Sequence, residues 1–200
     1  KEIEKIQIPY WCPKDRMMDS KEETKRWGEL WRAGIHKDIT QVNHFFTNRN
    51  LWALALLKNK IDNMKNEDLE FVFGSNILSA TLMQQYRKAG GGFAKGTYYI
   101  PPIFIEREQQ GCFSRKFSDV LRAKKEINNV KTTSIIISTN SAVNLPEINS
   151  NSIDYIFTDP PFGSNIMYSE LNYIWESWLK VFTNNSKEAI INKTQVKGLH

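Results

Sequence analysis

The sequence predicts an α/β fold in which part of a sheet follows a largely helical, basic region. Two short runs of β-branched and aromatic residues, at about 133–139 and 153–158, have the composition of buried parallel strands. Earlier in the chain, apolar residues instead recur every three or four positions, which is the spacing of helices. We therefore divide the chain into a helical and basic region, residues 1–131, and a sheet-bearing region, residues 132–200.

Four helices are predicted from this periodicity, and they cover residues 48–61, 67–89, 113–128 and 169–182. Thr47 or Asn48 is expected to cap the first helix, and Asn66 or Glu67 to open the second, because such side chains satisfy the free N–H groups of a first turn. Residues 98–108 include two adjacent prolines. Since proline cannot donate to a sheet ladder, this segment is predicted as an edge strand or one arm of a hairpin.

The second predicted strand runs directly into Asp159-Pro160-Pro161-Phe162, the most informative feature of the chain. Chemistry in open α/β sheets collects at the carboxyl ends of strands. The carboxylate of Asp159 and the carbonyl of Pro160 would accept both hydrogens of a planar exocyclic amine and favour its nucleophilic, tetrahedral form. The prolines order this loop before a substrate binds, and Phe162 offers a face for an unstacked base. An Asp-Pro pair also starts ordinary turns, so the tetrapeptide alone leaves a simple turn open.

The tetrapeptide is similar to the catalytic motif of the amino methyltransferases, which methylate N6 of adenine or N4 of cytosine in DNA and carry D-P-P-Y or D-P-P-F. Residues 134–142, a β-rich run followed by a polar turn, resemble what precedes the catalytic strand in that family. Residues 163–171 resemble a subgroup of predicted DNA methylases with a large insertion in the catalytic domain. The resemblance covers roughly the last third of the chain. It implies a partial Rossmann-like methyltransferase sheet, S-adenosyl-L-methionine as cofactor and DNA as partner, with residues 1–131 as a possible DNA-contacting insertion.

The same resemblance implies roles for individual residues. Asp159, Pro160, Pro161 and Phe162 would form the catalytic loop, and the cofactor side would be lined by Asn140, Ser141 and Asp159. The acidic residue that the family often places in the 139–142 turn is missing, which puts a direct contact with the cofactor adenine in doubt.

The glycine-rich cofactor turn of such enzymes is not recognisable in the sequence. Gly90-Gly91-Gly92 follows a stretch that predicts a helix, so we expect Gly90 to end that helix and open a loop. We therefore expect the chain to be an internal fragment, with the cofactor turn before Lys1 and the closing strands after His200 in a parent methyltransferase.

The positive charge of the chain is concentrated in one region. The net charge is +5, and residues 87–131 alone hold ten basic against four acidic residues, with six aromatic residues among them. Cations interleaved with aromatic rings suit phosphate contact and base stacking. The nucleic-acid contacts are predicted on the basic helix, at Arg115, Lys116, Arg122, Lys124 and Lys125. A solvated face behind an apolar core stripe is compatible with the same pattern.

Composition narrows the remaining possibilities. No apolar run approaches a membrane span, and the lysine-rich start lacks the apolar stretch of a signal peptide, so a cytoplasmic protein without membrane contact is expected. Cys12 and Cys112 lack the paired spacing of a zinc site, so we expect free buried thiols and no metal.

Three functions remain open at this point. They are a site-specific DNA methyltransferase fragment that is inactive alone, an RNA guanine-N2 methyltransferase, and a non-catalytic nucleic-acid-binding module. The continuation from Tyr168 to Leu171 favours DNA over RNA. Neither the target base nor membership of a restriction-modification system can be read from the chain.

Overall fold

The structure is a computed structural model that describes residues 7–17, 38–93, 98–128, 137, 144–160 and 168–183. Half of these residues are helical. The helices are a 3₁₀ turn at Val42–Phe45, α1 at Asn48–Met64, α2 at Glu67–Asn76, a second 3₁₀ turn at Ile77–Ala80, α3 at Gln109–Ile127 and α4 at Tyr168–Leu179. Across the described ranges, extended backbone pairs through isolated antiparallel bridges and forms no strand.

The α/β prediction is wrong for the described part of the chain, because no Rossmann-like sheet is present there. Residues 152–160 contain no strand and are exposed throughout, with Phe157 84% accessible to solvent. Residues that favour strands do so only where a neighbouring strand supplies hydrogen bonds and a packing surface, and this segment has neither among the described residues. The first predicted strand, 133–139, lies outside the described residues except for Ile137, which is exposed.

Helix α1 begins where the sequence predicts. Thr47 is its N-cap, and the Thr47 Oγ1 accepts a hydrogen bond from the Asn50 N–H at 3.2 Å. Leu54 and Ile61, one face of the predicted apolar stripe, are buried. The helix ends where Lys65 adopts a left-handed backbone with φ 48° and donates its N–H to the Ile61 carbonyl at 3.0 Å.

Helix α2 begins at its predicted cap, Asn66, but ends at Asn76, far short of the predicted end at Ala89. Asn76 is fully buried and its Nδ2 donates to Gln109 Oε1 at 3.2 Å. The Ser79 hydroxyl donates to the Asn76 carbonyl at 2.7 Å. The Ser79 hydroxyl thus occupies a carbonyl that a continuing α-helix would use within its backbone, and the chain passes into the 3₁₀ turn Ile77–Ala80.

Helix α3 confirms the predicted basic helix, and it runs antiparallel to α2. Gln109, at the start of α3, bonds to Asn76 at the end of α2, while Lys124 near the end of α3 pairs with Asp68 in the first turn of α2. The Glu108 carboxylate caps α3 by accepting two backbone N–H groups of the first turn, each at 2.6 Å.

Helix α4, also predicted, reaches the centre of the core through Trp178. This indole is fully buried, and its ring meets Trp11, Phe46 and Phe73 edge-on at centroid separations of 6.0, 5.8 and 5.6 Å. Edge-to-face contacts of this kind add stability beyond the area they bury. The same buried cluster includes Leu54 of α1, so the segment that follows the Asp-Pro-Pro-Phe tetrapeptide packs with the earliest helices.

Three short extended stretches form a small antiparallel arrangement around Gln85, which we call the Gln85 ladder (residues 84–87, 91–92 and 103–105). Gln85 bridges Gly92 on one side and Phe104 on the other. The Gln85 N–H donates to the Gly92 carbonyl at 2.9 Å, and the Tyr86 N–H to the Ile103 carbonyl at 3.1 Å. Phe104 lies within the predicted 98–108 hairpin arm, so that arm is partly realised.

Gly90 does not end a helix, contrary to the prediction. It lies in a turn closed by a hydrogen bond of 3.1 Å from its N–H to the Arg87 carbonyl, and its φ of 98° is one that glycine adopts without strain. At Gly91 the backbone passes so close to the ladder that a Cβ would lie 2.2 Å from the Gln85 carbonyl oxygen and 2.4 Å from Ile105 Cδ1. The glycine run therefore serves the packing of the ladder.

Candidate catalytic loop and nucleic-acid interface

The candidate catalytic loop is described up to its second residue. Asp159 and Pro160 are exposed at the end of an exposed segment without regular structure. Within the described residues, the Asp159 carboxylate makes no hydrogen bond or ion pair. Pro161 and Phe162 lie outside the described residues. The carboxylate is thus open to a donor from outside the chain, as the predicted role requires.

The segment before the loop is held by local turns. The Ile148 N–H donates to the Leu145 carbonyl at 3.1 Å, and the Ser152 hydroxyl donates to the Asn149 carbonyl at 2.7 Å. Asn151 adopts a left-handed backbone with φ 60°, which asparagine tolerates better than most residues. These contacts all lie within residues 145–152, so they shape the turn without fixing the direction in which Asp159 leaves it.

The described residues do not form a pocket that fits S-adenosyl-L-methionine. Asn140 and Ser141, the predicted cofactor-side residues, lie outside them, and Asp159 is exposed. Gly91 offers no cradle either, since the space beside it is filled by the Gln85 carbonyl and Ile105. We derive no step through the cofactor from these residues.

The five predicted nucleic-acid contacts all lie on α3 and are exposed, but two are paired with acids. Arg122 donates to Asp119, and Lys124 to Asp68 of α2. Arg115 and Lys116 form no ion pair with an acid among the described residues. Exposed ion pairs contribute little stability, yet each offsets the positive charge of its cation that a phosphate would meet.

Arg115 and Arg122 lie two helical turns apart and so share one face of α3. Arg115 Nη2 donates to the sulfur of Cys112 at 3.3 Å, a weak contact with an uncharged partner that leaves its positive charge intact. Lys124 instead lies beside α2, where Asp68 neutralises it. Arg122 on that face is paired with Asp119, so the strongest phosphate contact is expected from Arg115 and not from Arg122 or Lys124.

The aromatic residues that the sequence interleaves with this charge divide into two sets. Tyr98 is buried, and burial, followed by the negative charge of Glu170, raises the pKa of its hydroxyl well above 10. Phe113 is partly buried against the core. Phe104 and Phe117 are accessible to solvent at 41% and 36%. Tyr99 is also exposed, at 47%, so three of the six rings face solvent. The predicted apolar core stripe of α3 is only partly buried, because Phe117 and Leu121 are exposed.

An open apolar groove of about 530 Å³ lies between α2 and α4. Phe71, Trp175 and Leu179 line it. The Trp175 Nε1 already donates to the Gly74 carbonyl at 3.0 Å, so the groove presents ring and aliphatic surface instead of a free indole donor. No sequence pattern indicated this groove, because its lining residues come from helices about a hundred residues apart.

Both cysteines lie within the described residues. Cys12 and Cys112 are both buried and free, as predicted. Burial raises the pKa of the Cys12 thiol, and Lys14 partly opposes this.

Within the described ranges, no three His, Cys, Asp or Glu side chains are grouped to hold a metal ion. None of the helices described there has the length and apolar content to span a bilayer.

No family model, curated protein or solved structure matches the chain. The resemblance to the amino methyltransferases therefore rests on the residues themselves, above all on Asp159-Pro160-Pro161-Phe162.

Proposed function

We propose that the chain carries the catalytic loop of a cytoplasmic DNA amino methyltransferase that uses S-adenosyl-L-methionine. The observation that carries the proposal is the Asp159-Pro160-Pro161-Phe162 tetrapeptide with its Asp159 carboxylate exposed and unpaired within the described residues. A carboxylate bound to a neighbouring cation or backbone would first have to be released before it could accept an amine hydrogen. Asp159 has no such partner among the described residues, so no contact there has to be broken first.

The chemistry assigned to the loop is polarisation of an exocyclic amine. Asp159 and the Pro160 carbonyl accept the two amine hydrogens, which localises the nitrogen lone pair as it attacks. Phe162 stacks the unstacked base. The methylated base found in the assay identifies the target, adenine N6 or cytosine N4.

The exposed segment before the loop supports a role for other parts of a parent chain. Tyr155, Ile156 and Phe157 are 80%, 72% and 84% exposed. Three adjacent large apolar side chains in water are unfavourable, since each would contribute roughly 1.5–3 kcal/mol on burial. We propose that the rest of a parent methyltransferase covers them and supplies the cofactor pocket that the described residues lack.

A non-catalytic nucleic-acid-binding module is the second candidate. The helical architecture of the described residues and the charged Arg115 face of α3 favour it. This candidate needs neither a cofactor pocket nor the Asp159 carboxylate.

The test is methyl transfer from labelled S-adenosyl-L-methionine to DNA, with the chain in its parent protein. Asp159→Ala should lower the rate about a hundredfold or more, since one oriented acceptor contributes on the order of 3 kcal/mol in the transition state. Asp154→Ala is the matched control, because Asp154 is also exposed and lies just upstream of the motif.

The products separate the candidates. N6-methyladenine or N4-methylcytosine from the parent, lost in Asp159→Ala and kept in Asp154→Ala, supports the proposal. N2-methylguanine in RNA would establish the RNA enzyme instead. DNA binding without any methylation would establish the binding module.

A further inference from the structure

One face of the Gln85 ladder carries the side chains of Gln85 and Phe104, and we call it the outer face. It combines an aromatic ring, a cation and open space above the backbone. Bridged partners in an antiparallel pair point to the same face, so Phe104, Gln85 and the bare Gly92 lie side by side across the three stretches. Among the described residues, a Cβ built on Gly92 meets nothing within 4 Å, so the space above this backbone is open there. Phe104, 41% exposed, lies on the other side of Gln85 from Gly92.

A guanidinium is held on the same face. Arg87 donates from both Nε and Nη2 to Gln85 Oε1, at 3.0 and 2.8 Å. This fork fixes the plane of the guanidinium without neutralising it, because the Gln85 amide carries no charge. Lys88, next in the chain, is exposed.

The acids nearest to this face in the sequence are already engaged. Glu106 accepts from Thr47 and pairs with Arg49 at 2.9 Å, and Glu108 caps α3. Arg87 and Lys88 therefore leave an excess of positive charge on this part of the described residues, which favours an anionic ligand.

The inner face of the ladder is anchored, which makes the outer face rigid. Gln84 is buried and its Nε2 donates to the Leu78 carbonyl at 2.7 Å. Arg107 holds two stretches together by donating to the Gly91 carbonyl at 3.1 Å and to Gln84 Oε1 at 3.3 Å. A ligand on the outer face would then lose little free energy to ordering the protein.

We propose that this face binds single-stranded DNA, with one base over the open backbone at Gly92, a neighbouring base on the Phe104 ring and the phosphate between them on Arg87. A flat, open, aromatic-edged surface beside fixed cations is the arrangement that holds unpaired bases without reading their sequence. The site lies on the ladder and not on α3, where the sequence analysis placed the nucleic-acid contacts. The choice of DNA rests on the proposed function, whereas the base-and-phosphate chemistry rests on the ladder alone.

The test is fluorescence anisotropy of a labelled thymidine oligonucleotide with the full chain at about 50 mM salt. Gly92→Val fills the open space and should weaken binding about tenfold or more, with an unchanged circular dichroism melting curve because nothing lies near its new side chain. Phe104→Ala should weaken binding about fivefold or more, and Phe104→Trp should restore it. Arg87→Gln should weaken binding and reduce the slope of log affinity against log salt by about one.

Tyr86→Ala is the matched control. Tyr86 is 59% exposed in the same ladder, but it alternates with Gln85 and so points to the other face. Its removal should change affinity by less than about twofold. The site is overturned if the parent, Gly92→Val and Phe104→Ala bind the thymidine oligonucleotide equally well. It is also overturned if Tyr86→Ala loses as much affinity as those two variants.

Two further arms identify the ligand. A DNA duplex, whose bases are stacked, should bind parent and Gly92→Val alike; an equal loss for the duplex refutes base stacking here. Tighter binding of a uridine oligonucleotide than of the thymidine one overturns the choice of DNA. Methyl transfer is measured with Asp159→Ala and oligonucleotide binding with Gly92→Val and Phe104→Ala, so failure of the methyltransferase proposal and failure of this one give different results.

Discussion

Replacing Lys58 by methionine tests how α1 is fastened to α2. The Lys58 side chain is 6% exposed, and its ammonium donates to Asp62 Oδ1 at 2.6 Å and to Glu70 Oε1 at 2.8 Å. Its Nζ also lies 5.9 Å from the centre of the Phe73 ring. Both carboxylates are nearly half exposed, so water solvates them when the ammonium is removed.

We expect Lys58→Met to lower the free energy of unfolding by about 1–2 kcal/mol. Two hydrogen bonds between charged groups, roughly 1.5–3 kcal/mol each, are lost. The cost of burying the ammonium, several kcal/mol, is recovered, and the methionine stem fills the same space. Removing both carboxylates instead, by Asp62→Asn with Glu70→Gln, leaves a buried charge without a counter-ion and should cost about 3–5 kcal/mol. The carboxylate variant should therefore be the less stable.

Urea unfolding followed by tryptophan fluorescence measures both variants, because the buried Trp178 reports loss of the core. A loss of about 2 kcal/mol corresponds to a fall in Tm of roughly 4–8 °C for a chain of this size. If Lys58→Met is the more destabilising of the two, the buried-charge reasoning is refuted.

The same pair has a defined pH dependence. Burial lowers the pKa of Lys58, but the hydrogen bonds to Asp62 and Glu70 together outweigh it, so the pKa is raised above 10.5. A raised pKa in the folded state contributes stability that is complete below the unfolded pKa and lost as the pH rises through the folded value. The stability difference between parent and Lys58→Met should hold near neutral pH and shrink above about 10.5. A difference that grows in that alkaline range would contradict the assignment.

Two other predictions follow from contacts described above. Arg115→Ala with Lys116→Ala should weaken duplex DNA binding and flatten the salt slope by up to about two. Lys124→Ala, already neutralised by Asp68, should change the slope by much less. Equal slopes for parent and the double variant in a salt titration would remove α3 from the interface. Gly91→Ala should lower the free energy of unfolding, measured in urea, by roughly 2–4 kcal/mol, because its Cβ would overlap a backbone oxygen that cannot move aside. A loss below about 0.5 kcal/mol would show that the ladder is not rigid.

Helix starts were predictable where one side chain decides them locally. Thr47 and Asn66 each accept an N–H of the turn they begin, and that contact depends on only a few neighbouring residues. The end of α2 was not predictable from periodicity, because Asn76 at that end is held by a side-chain contact with Gln109, more than thirty residues away. The prediction extended this helix to Ala89 because it relied on the apolar periodicity alone.

The sheet prediction failed for a related reason. Residues 153–158 have strand composition, but a strand is a property of a pair, and no partner lies among the described residues. The Gln85 ladder went unpredicted because its pairing joins residues around Gln85 to Phe104 across a glycine run that looked like a helix end. For the catalytic loop, the motif itself located Asp159, and its exposure agrees with the predicted role without testing it.

The anchoring of α4 by Trp178 has a consequence for proteolysis. The exposed residues 144–160 separate α3 from α4, and exposed segments of this kind are preferred sites of nicking. A cut there would sever the covalent link to α4, yet the contacts of Trp178 with Trp11, Phe46 and Phe73 would remain. The two pieces should then stay together as a non-covalent complex, and each side of the candidate catalytic loop could be exchanged as a separate peptide.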